Sequence, residues 1–181
     1  CEDKLPGDYV VQSLRRDFSG GDNDFVTFYL DPFGDGTNGF TFGITPLGVK
    51  REALITNGDN LDPSWDNKWY GRSKRYKGKW TAEMAIPFKT LRYKSGTAPW
   101  KINFARLDYK GNERSAWVPV PRNFRLTSLA FTGEINWAEP LPKTGANVVL
   151  IPYVTGGFSK EFDPENKEIA YTRNAGMDAK I

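Results

Sequence analysis

Residues 80–93 read WTAEMAIPFKTLRY, and this stretch decides the fold class. The apolar side chains of Trp80, Met84 and Ile86 alternate with more polar ones, which is the period of a β-strand with one buried face. Pro87 has no backbone N–H to donate to a sheet, so it ends the strand. The stretch therefore predicts a strand over 79–86 whose apolar face joins a core.

Similar alternation recurs along the chain between turn residues. Residues 68–76 and 79–86 are expected to pair across the Lys77-Gly78 turn. The other candidate strands are 24–31, 40–45, 48–54, 100–108, 115–120, 129–135 and 147–154. Short strands without long helical periodicity, in a chain with 12 Phe, 8 Tyr and 6 Trp, are typical of an all-β antiparallel β-sandwich.

Three structural expectations follow from this architecture. Residues 79–86 should form a central strand, and Phe88 with Leu91 should fold back as a one-turn lid over the open end of the sandwich. Glu83 lies on the strand face opposite the core, where a covered carboxylate needs a partner, and Arg106 is the predicted one. Residues 155–181 are polar and glycine-rich, so we predict a linker or arm that leaves a domain spanning 1–154.

Composition excludes several functional classes. Lys and Arg number 25 against 22 Asp and Glu, a net charge of +3 that is too balanced to indicate nucleic-acid binding. The sequence contains no histidine, which excludes Ser-His-Asp and Cys-His catalysis, imidazole-ligated zinc and histidine-ligated haem. Its single cysteine, Cys1, cannot form an internal disulfide.

A set of motifs resembles one protein family. The chain is similar to the family 9 carbohydrate-binding-module-like domain at the N-terminus of large envelope proteins of Bacteroidota-type bacteria, where the module precedes an outer-membrane β-barrel region. The segments that carry the resemblance are LRRDF (14–18), DFVTFYLDPFGDGTNGFTFGITPLGVK (24–50), EMAIPFKTLR (83–92), WKINFARLD (100–108), NERSAWVPVP (112–121) and GEI (133–135). The resemblance covers most of 1–154 and, more thinly, 174–181, which with IPYV (151–154) looks like the junction where the barrel begins.

The resemblance implies a carbohydrate-binding, jelly-roll type β-sandwich without catalytic activity, on the periplasmic or outer-membrane side of a Gram-negative envelope. Its expected partners are a glycan, the downstream barrel of the same protein and other envelope proteins. CED (1–3) would fall at the end of an early strand, so we interpret the chain as a fragment that lacks its first strands and the barrel. A lipoprotein anchored through Cys1 is the alternative.

A cluster of aromatic and polar residues at 65–70 suggests a sugar site. Sugars are held by flat aromatic rings that stack on C–H faces and by polar groups that bond the hydroxyls. The predicted ligand-binding residues are Trp65, Asp66, Asn67, Trp69, Tyr70 and Trp117, with Trp137 as a further wall. The alternative is that Trp69 and Trp117 belong to the core and that Trp137 anchors the linker.

Structural calcium is a second candidate, since sandwiches related to this family often carry it. Asp22, Asp24, Asp31 and Asp35 offer oxygen ligands in turns, although no segment matches the EF-hand pattern. The alternative is that these side chains bond to their own backbone and shape the turns.

Two functional hypotheses remain at this point, a glycan-binding module and a structural plug or docking module of the same envelope protein. Solvent-facing rings of Trp65 and Trp69 would favour the first, and buried rings the second. Glycoside hydrolysis would need two carboxylates across a cleft, and the spacing of Glu83, Glu113 and Glu134 does not favour it.

Overall fold

The structure is a computed structural model that describes residues 1–3, 5, 7–96, 98–143, 149–160 and 169–180. Contacts divide the chain into two units, 1–144 and 145–181, which are described separately. Regular structure in the described ranges is almost entirely antiparallel β-strand, which confirms the predicted fold class. In the same ranges, no helix is both long and apolar enough to span a membrane.

The described residues of the first unit form nine strands in two sheets. In chain order they are β1 (Phe25–Asp31), β2 (Gly39–Ile44), β3 (Lys50–Thr56), β4 (Asn60–Asp62), β5 (Tyr70–Tyr76), β6 (Lys79–Ala85), β7 (Trp100–Asp108), β8 (Glu113–Ala116) and β9 (Gly133–Ile135). The larger sheet has the order β4-β3-β2-β1-β7-β8, and β9 also pairs with β7. The smaller sheet is the β5-β6 hairpin.

Strand register divides the larger sheet into two chemically different faces. Phe28 pairs with Phe42 across β1 and β2, whereas Tyr29 pairs with Thr41. Because successive side chains point to opposite sides, even-numbered residues of β1, β2, β3 and β7 share one face and odd-numbered residues the other. We call these the even face and the odd face.

The even face carries the main core. Its buried cluster consists of Leu30, Phe40, Phe42, Trp69, Leu91, Tyr93, Trp100 and Ile102. The β5-β6 hairpin and the segments around residues 65–69 and 86–93 cover it as the second layer. A side-chain carbon at Gly71 of β5 would lie 3.0 Å from Ile44 of β2, so the two layers approach closely where the sequence has glycine.

The β5-β6 hairpin is as predicted, but β6 is not a central strand. The strands pair from Tyr70–Ala85 to Tyr76–Lys79, and Gly78 adopts φ 77° in the turn. On its other side, β6 meets only the Cys1–Asp3 segment among the described residues, through a bridge and a 2.9 Å bond from the Trp80 N–H to the Cys1 carbonyl. Alternation shows that one face is buried, but it carries no information on the number of neighbouring strands.

The proline and the turn after it behave as predicted. Pro87 precedes a single 3-10 turn at Phe88–Thr90, and Leu91 is buried behind it. The Phe88 ring meets the Trp100 and Trp137 rings edge-on, at centroid distances of 5.7 and 5.6 Å. Phe88 and Leu91 therefore close one end of the even-face core as a lid.

The predicted Glu83–Arg106 pair is wrong. Glu83 is exposed on β6, so its carboxylate is solvated. Arg106 instead bonds Asp108 Oδ2 at 3.0 Å and Asp3 Oδ1 at 3.5 Å. The prediction failed because it assumed that both faces of β6 are covered. Phe104, on the even face of β7, is 50% exposed near the β8 edge.

The second unit is a long hairpin rather than a linker without regular structure. β10 (Val149–Lys160) pairs with β11 (Ile169–Lys180) along its whole length. The glycine and polar residues after 155 interrupt the apolar–polar alternation by which a strand is recognised in sequence. The pairing of β10 with β11 is therefore seen only in the structure. The role of 155–181 as a connection to a downstream barrel stays a prediction.

Candidate functional site

The odd face of the larger sheet forms the floor of a cleft. Six odd-face side chains of β1, β2, β3 and β7 line this floor: Phe25, Thr27, Tyr29, Thr41, Arg51 and Leu107. The hydroxyls of Thr27 and Thr41 share a hydrogen bond of 2.9 Å, and Thr27 Oγ1 also lies 2.9 Å from the Phe42 carbonyl oxygen, to which it donates. The floor is therefore polar at the centre of a sheet whose other face is apolar.

Two walls rise from this floor and enclose a volume of about 1140 Å³. One wall is the loop at residues 120–127, and the other combines Gly20 and Gly21 with residues 111–114. Pockets for small ligands typically measure about 300–1000 Å³. The cleft is thus large enough for a ligand at the upper end of that range.

The loop wall is attached to the sheet through Asn103, a buried residue on the odd face of β7. Its Nδ2 donates to the carbonyl oxygens of Val118 and Phe131, at 3.0 and 2.8 Å. The Val118 N–H donates in return to Asn103 Oδ1 at 2.9 Å. One amide side chain therefore holds both ends of the segment 118–131, and the middle of this segment borders the cleft.

Arg51 supplies a cation at the floor. Its guanidinium carbon lies 6.0 and 5.8 Å from the ring centroids of Phe18 and Phe25. Burial lowers the pKa of the Arg51 guanidinium, while the negative charges that Tyr29 and Asp17 can carry act in the opposite direction. Arginine side chains stay protonated in proteins, so the group remains a cation near neutral pH.

Tyr29 supplies a phenol beside this cation. Burial raises the pKa of Tyr29 to about 12, although Arg51 and Arg114 favour the phenolate. The hydroxyl is therefore protonated at neutral pH and can donate a hydrogen bond. Together, the guanidinium and the phenol make the floor rich in donors.

The tryptophans predicted to bind sugar lie on the other side of the sheet. Trp69 is only 2% exposed, its Nε1 donates to Glu52 Oε2 at 2.9 Å, and its ring meets Phe42 edge-on at 5.4 Å. Trp65 is half-buried and packs 4.9 Å from the Phe40 ring centroid. Trp69 therefore belongs to the core, which was the alternative, and its ring cannot stack on a ligand.

The polar residues between these rings are engaged in structural contacts. Arg16 pairs with Asp66 at 3.0 Å and donates to the Asn67 carbonyl oxygen at 2.8 Å. Asn67 Nδ2 donates to the Thr90 carbonyl oxygen at 3.2 Å, which ties the segment to the lid. Tyr70 is 59% exposed at the start of β5.

The remaining tryptophans also lie outside the cleft. Trp117 is 59% exposed, with its ring against Gly133 and 6.1 Å from Phe104. Trp137 packs 4.9 Å from Trp100. None of the ligand-binding residues predicted from sequence lines the cleft. A sugar contact at the exposed rings of Tyr70 or Trp117 stays a prediction.

The structure does not bring the four candidate calcium ligands together. Both oxygens of Asp31 accept backbone N–H groups of its own turn, at 2.7 to 2.9 Å. Asp24 accepts two more, at 2.7 and 2.6 Å, and six residues of β1 lie between it and Asp31, so a rise of seven residues separates the two by about 23 Å. Asp22 and Asp35 are exposed. Three or more such side chains do not cluster anywhere in the described residues, and calcium binding stays a prediction.

The three glutamates considered for hydrolysis are also separated. Glu83 is exposed on β6, and Glu134 contacts Lys101 at the β9 edge. Glu113 lines the cleft and is the one carboxylate among its described lining residues.

Sequence reasoning missed the residues that give the cleft its character. These are the arginines Arg51, Arg114, Arg122 and Arg125, together with Phe124. The alternation of 24–31 and 48–54 could have placed Arg51 and Tyr29 on one side of the sheet. The loop residues carry no periodicity, and only the Asn103 bonds bring them over the floor.

Comparisons with known proteins support the fold. No family model and no curated protein sequence matches the chain. A solved structure from Bacteroides uniformis, whose proposed role is carbohydrate binding, matches with a TM-score of 0.55 and 14% sequence identity. The match covers 71% of this chain and 67% of that one. The chain therefore shares a β-sandwich fold with that protein.

Proposed function

We propose that the first unit is a non-catalytic module that binds a glycan in the cleft on the odd face. The observation that carries the proposal is the cleft itself, since the second layer covers one face of the sheet, whereas on the other face the loop wall leaves a cleft lined by arginine and tyrosine side chains. The Bacteroides protein of the same fold, with its proposed carbohydrate-binding role, supports the assignment.

The lining has the chemistry that sugar recognition needs. The Arg51 guanidinium on the floor can bond sugar hydroxyls, and Phe124 on the loop wall is 49% exposed and can pack against C–H faces. Tyr29 adds a protonated phenol. Arg51 and Tyr29 lie on strands of the sheet, so little ordering of these two side chains is required when a ligand binds.

Binding without catalysis is proposed because hydrolysis of a glycosidic bond normally uses two carboxyl groups that flank the bond. The described lining of the cleft offers one, Glu113. The chain also contains no histidine that could replace the second group as an acid or base.

The envelope context is proposed from the sequence resemblance. We infer that the module acts on the periplasmic or outer-membrane side of a Gram-negative cell, connected through 155–181 to an outer-membrane β-barrel. Other envelope proteins are further candidate partners. The β10-β11 hairpin lies in the segment that resembles the junction with the barrel.

A glycan array on the purified chain tests the binding role, followed by titration of each hit against two variants. Phe124→Ala removes an aromatic side chain from the cleft wall, whereas Trp117→Ala removes one of similar exposure outside the cleft. We expect the first to weaken binding about tenfold and the second to leave it unchanged. Loss of binding in Trp117→Ala alone would move the site to the residues predicted from sequence.

A second role, as a docking module of the same envelope protein, is favoured by the second unit. One face of the hairpin carries the exposed apolar side chains Leu150, Val154, Phe158, Tyr171 and Met177. A contiguous apolar surface of this kind usually marks an interaction site. If the array gives no hit, and Val154→Ser with Phe158→Ser abolishes association of the chain with detergent or with itself, the docking role replaces the glycan role.

A further inference from the structure

The cleft is strongly biased towards positive charge. Its described lining contains four arginines, Arg51, Arg114, Arg122 and Arg125, against the single carboxylate of Glu113. The whole chain carries a net charge of only +3, from 25 basic and 22 acidic residues. The bias therefore belongs to the cleft and does not reflect the overall composition.

Arg51 is held in place at the floor by its surroundings. Its guanidinium carbon lies beside the Phe18 and Phe25 rings, at 6.0 and 5.8 Å from their centroids, and a side-chain carbon at Gly20 would be 2.2 Å from its Nη1. The group thus packs against backbone where the sequence has glycine. Such packing orients the planar donor fork, so little freedom is lost when a ligand binds.

The arginines of the cleft are not held in ion pairs by the described residues, although the Asp17 carboxylate favours the charged form of Arg51 from beyond ion-pair distance. Within the described ranges, no ion pair involves Arg51, Arg114, Arg122 or Arg125. Arg125 Nη1 donates to the Asn60 amide oxygen at 3.2 Å, which is a neutral partner. Arg51 is partly buried, so an anionic ligand beside its guanidinium would offset the cost of desolvating that cation.

We propose, building on the glycan-binding role, that the cleft selects an acidic glycan, one whose sugars carry carboxylate or sulfate groups. Arg51 on the floor and Arg114 on the wall both line the cleft, and they are the residues that recognise the anionic group. A guanidinium binds the paired oxygens of a carboxylate or sulfate through two parallel hydrogen bonds. Arg122 on the loop wall adds attraction for the same charge.

The test uses matched pairs of polymers that differ in charge alone, titrated calorimetrically into the chain at about 0.15 M salt, where distant surface charges are screened. Polygalacturonate is compared with its methyl ester, and dextran sulfate with dextran. We expect at least one charged member to bind roughly tenfold or more tightly than its neutral partner. The pair that shows the preference identifies the group as carboxylate or sulfate.

Two double variants separate site recognition from general attraction. Arg114→Gln with Arg122→Gln removes two exposed arginines of the cleft. Arg72→Gln with Arg75→Gln removes two exposed arginines from β5, so the net charge changes equally outside the cleft. The first double variant should lose about tenfold in affinity for the acidic polymer, and the second should stay within about twofold. Arg51→Lys keeps the positive charge but removes the planar guanidinium, so it should also weaken binding of the acidic polymer.

Each contrary result has a distinct meaning. Equal binding of charged and neutral partners would overturn the acidic specificity and leave the proposed function standing. Equal losses of affinity in both double variants would reveal a general polyanion-binding surface and would also overturn the acidic specificity. Binding of single-stranded DNA with the same affinity as the acidic polymer would have the same meaning. Absence of binding to these polymers and to the whole array would overturn both proposals.

Discussion

Glu52 is a carboxylate with no solvent exposure, placed on the even face of β3. It forms an ion pair with Arg16, and it accepts hydrogen bonds from Trp69 Nε1 at 2.9 Å and from the Asn67 backbone N–H at 3.3 Å. A buried carboxylate is tolerated only when its oxygens are paired in this way. Glu52 therefore fixes the segment 65–69 over the core.

Removal of the cation from this group should destabilise the fold. In Arg16→Ala, Glu52 keeps its buried charge and loses its ion pair, and we expect a loss of about 2–3 kcal/mol in the free energy of unfolding. This is below the loss for a fully buried pair because the Arg16 side chain is 38% exposed. Urea denaturation measures the effect. Arg15→Ala is the matched control, because Arg15 is the preceding residue and its side chain is exposed. Equal stability of the two variants would contradict this account.

Asp35 provides a pH-dependent contribution in the β1–β2 loop. Desolvation opposes its ionisation, but the N–H groups of Asn38 and Thr37 outweigh this and lower the pKa of Asp35 from 3.8 to about 2. A carboxyl group with a lowered folded-state pKa stabilises the fold above pH 3.8 and loses this effect as the pH falls through 2.

The corresponding prediction is that Asp35→Asn flattens the pH dependence of unfolding between pH 4 and 2. The stabilisation lost at pH 5 should not exceed about 1 kcal/mol, because the side chain is exposed. Urea denaturation at several pH values measures it, with Asp22→Asn as a control of equal charge change at another exposed position. A wild-type pH profile in Asp35→Asn would refute the assigned role.

At the scale of elements, the cleft depends on a loop without regular structure. Asn103 holds both ends of the segment 118–131, and Thr127 Oγ1 near its centre donates to the Asp59 carbonyl oxygen at 2.8 Å. The Leu129 N–H donates to the Gly58 carbonyl oxygen at 2.9 Å. The wall is thus attached to β7 and to the β3–β4 turn.

Loss of the Asn103 amide should release this wall. Asn103→Ala leaves the Val118 N–H and two carbonyl oxygens without partners, and we expect a loss of about 2–4 kcal/mol in stability. Hydrogen exchange should accelerate in the segment 118–131 more than in β1 and β2, and glycan affinity should fall with it. Asn136→Ala, at an exposed asparagine, is the control. Uniform acceleration across the sheet would mean that Asn103 stabilises the whole fold and not the wall.

Alternation made the elements of the main sheet and the β5-β6 hairpin predictable, because burial of one strand face leaves a period-two trace in the sequence. The sequence pattern does not show which segment of the chain packs over a given face of the sheet. Trp69 was therefore read as a ligand-binding ring although Glu52, 17 residues earlier, draws it into the core. The sequence pattern does not identify Arg51 as a site residue either, because the cleft around it exists only where the loop 118–131 packs over the odd face.

At the scale of the whole molecule, the two units differ in how they are stabilised. The three hydrophobic clusters of the first unit draw on residues no later than Leu141, and every described lining residue of the cleft is earlier still. Side chains of the β10-β11 hairpin whose burial is described are mostly exposed. The first unit therefore has a core and a site of its own, whereas the second has backbone pairing as its main support.

Separation of the units tests this difference. Residues 1–144 should unfold cooperatively, within about 3 °C of the intact chain, and bind the same glycan with unchanged affinity, because the core and cleft are retained. A peptide of residues 145–181 should show no cooperative transition in water, since an isolated two-stranded hairpin is marginally stable at best. Circular dichroism measures both transitions and calorimetry the affinity. If 1–144 were unfolded, or if it folded without glycan affinity, the hairpin would have to supply part of the core or the site. The cleft could then no longer be treated as a property of the sandwich alone.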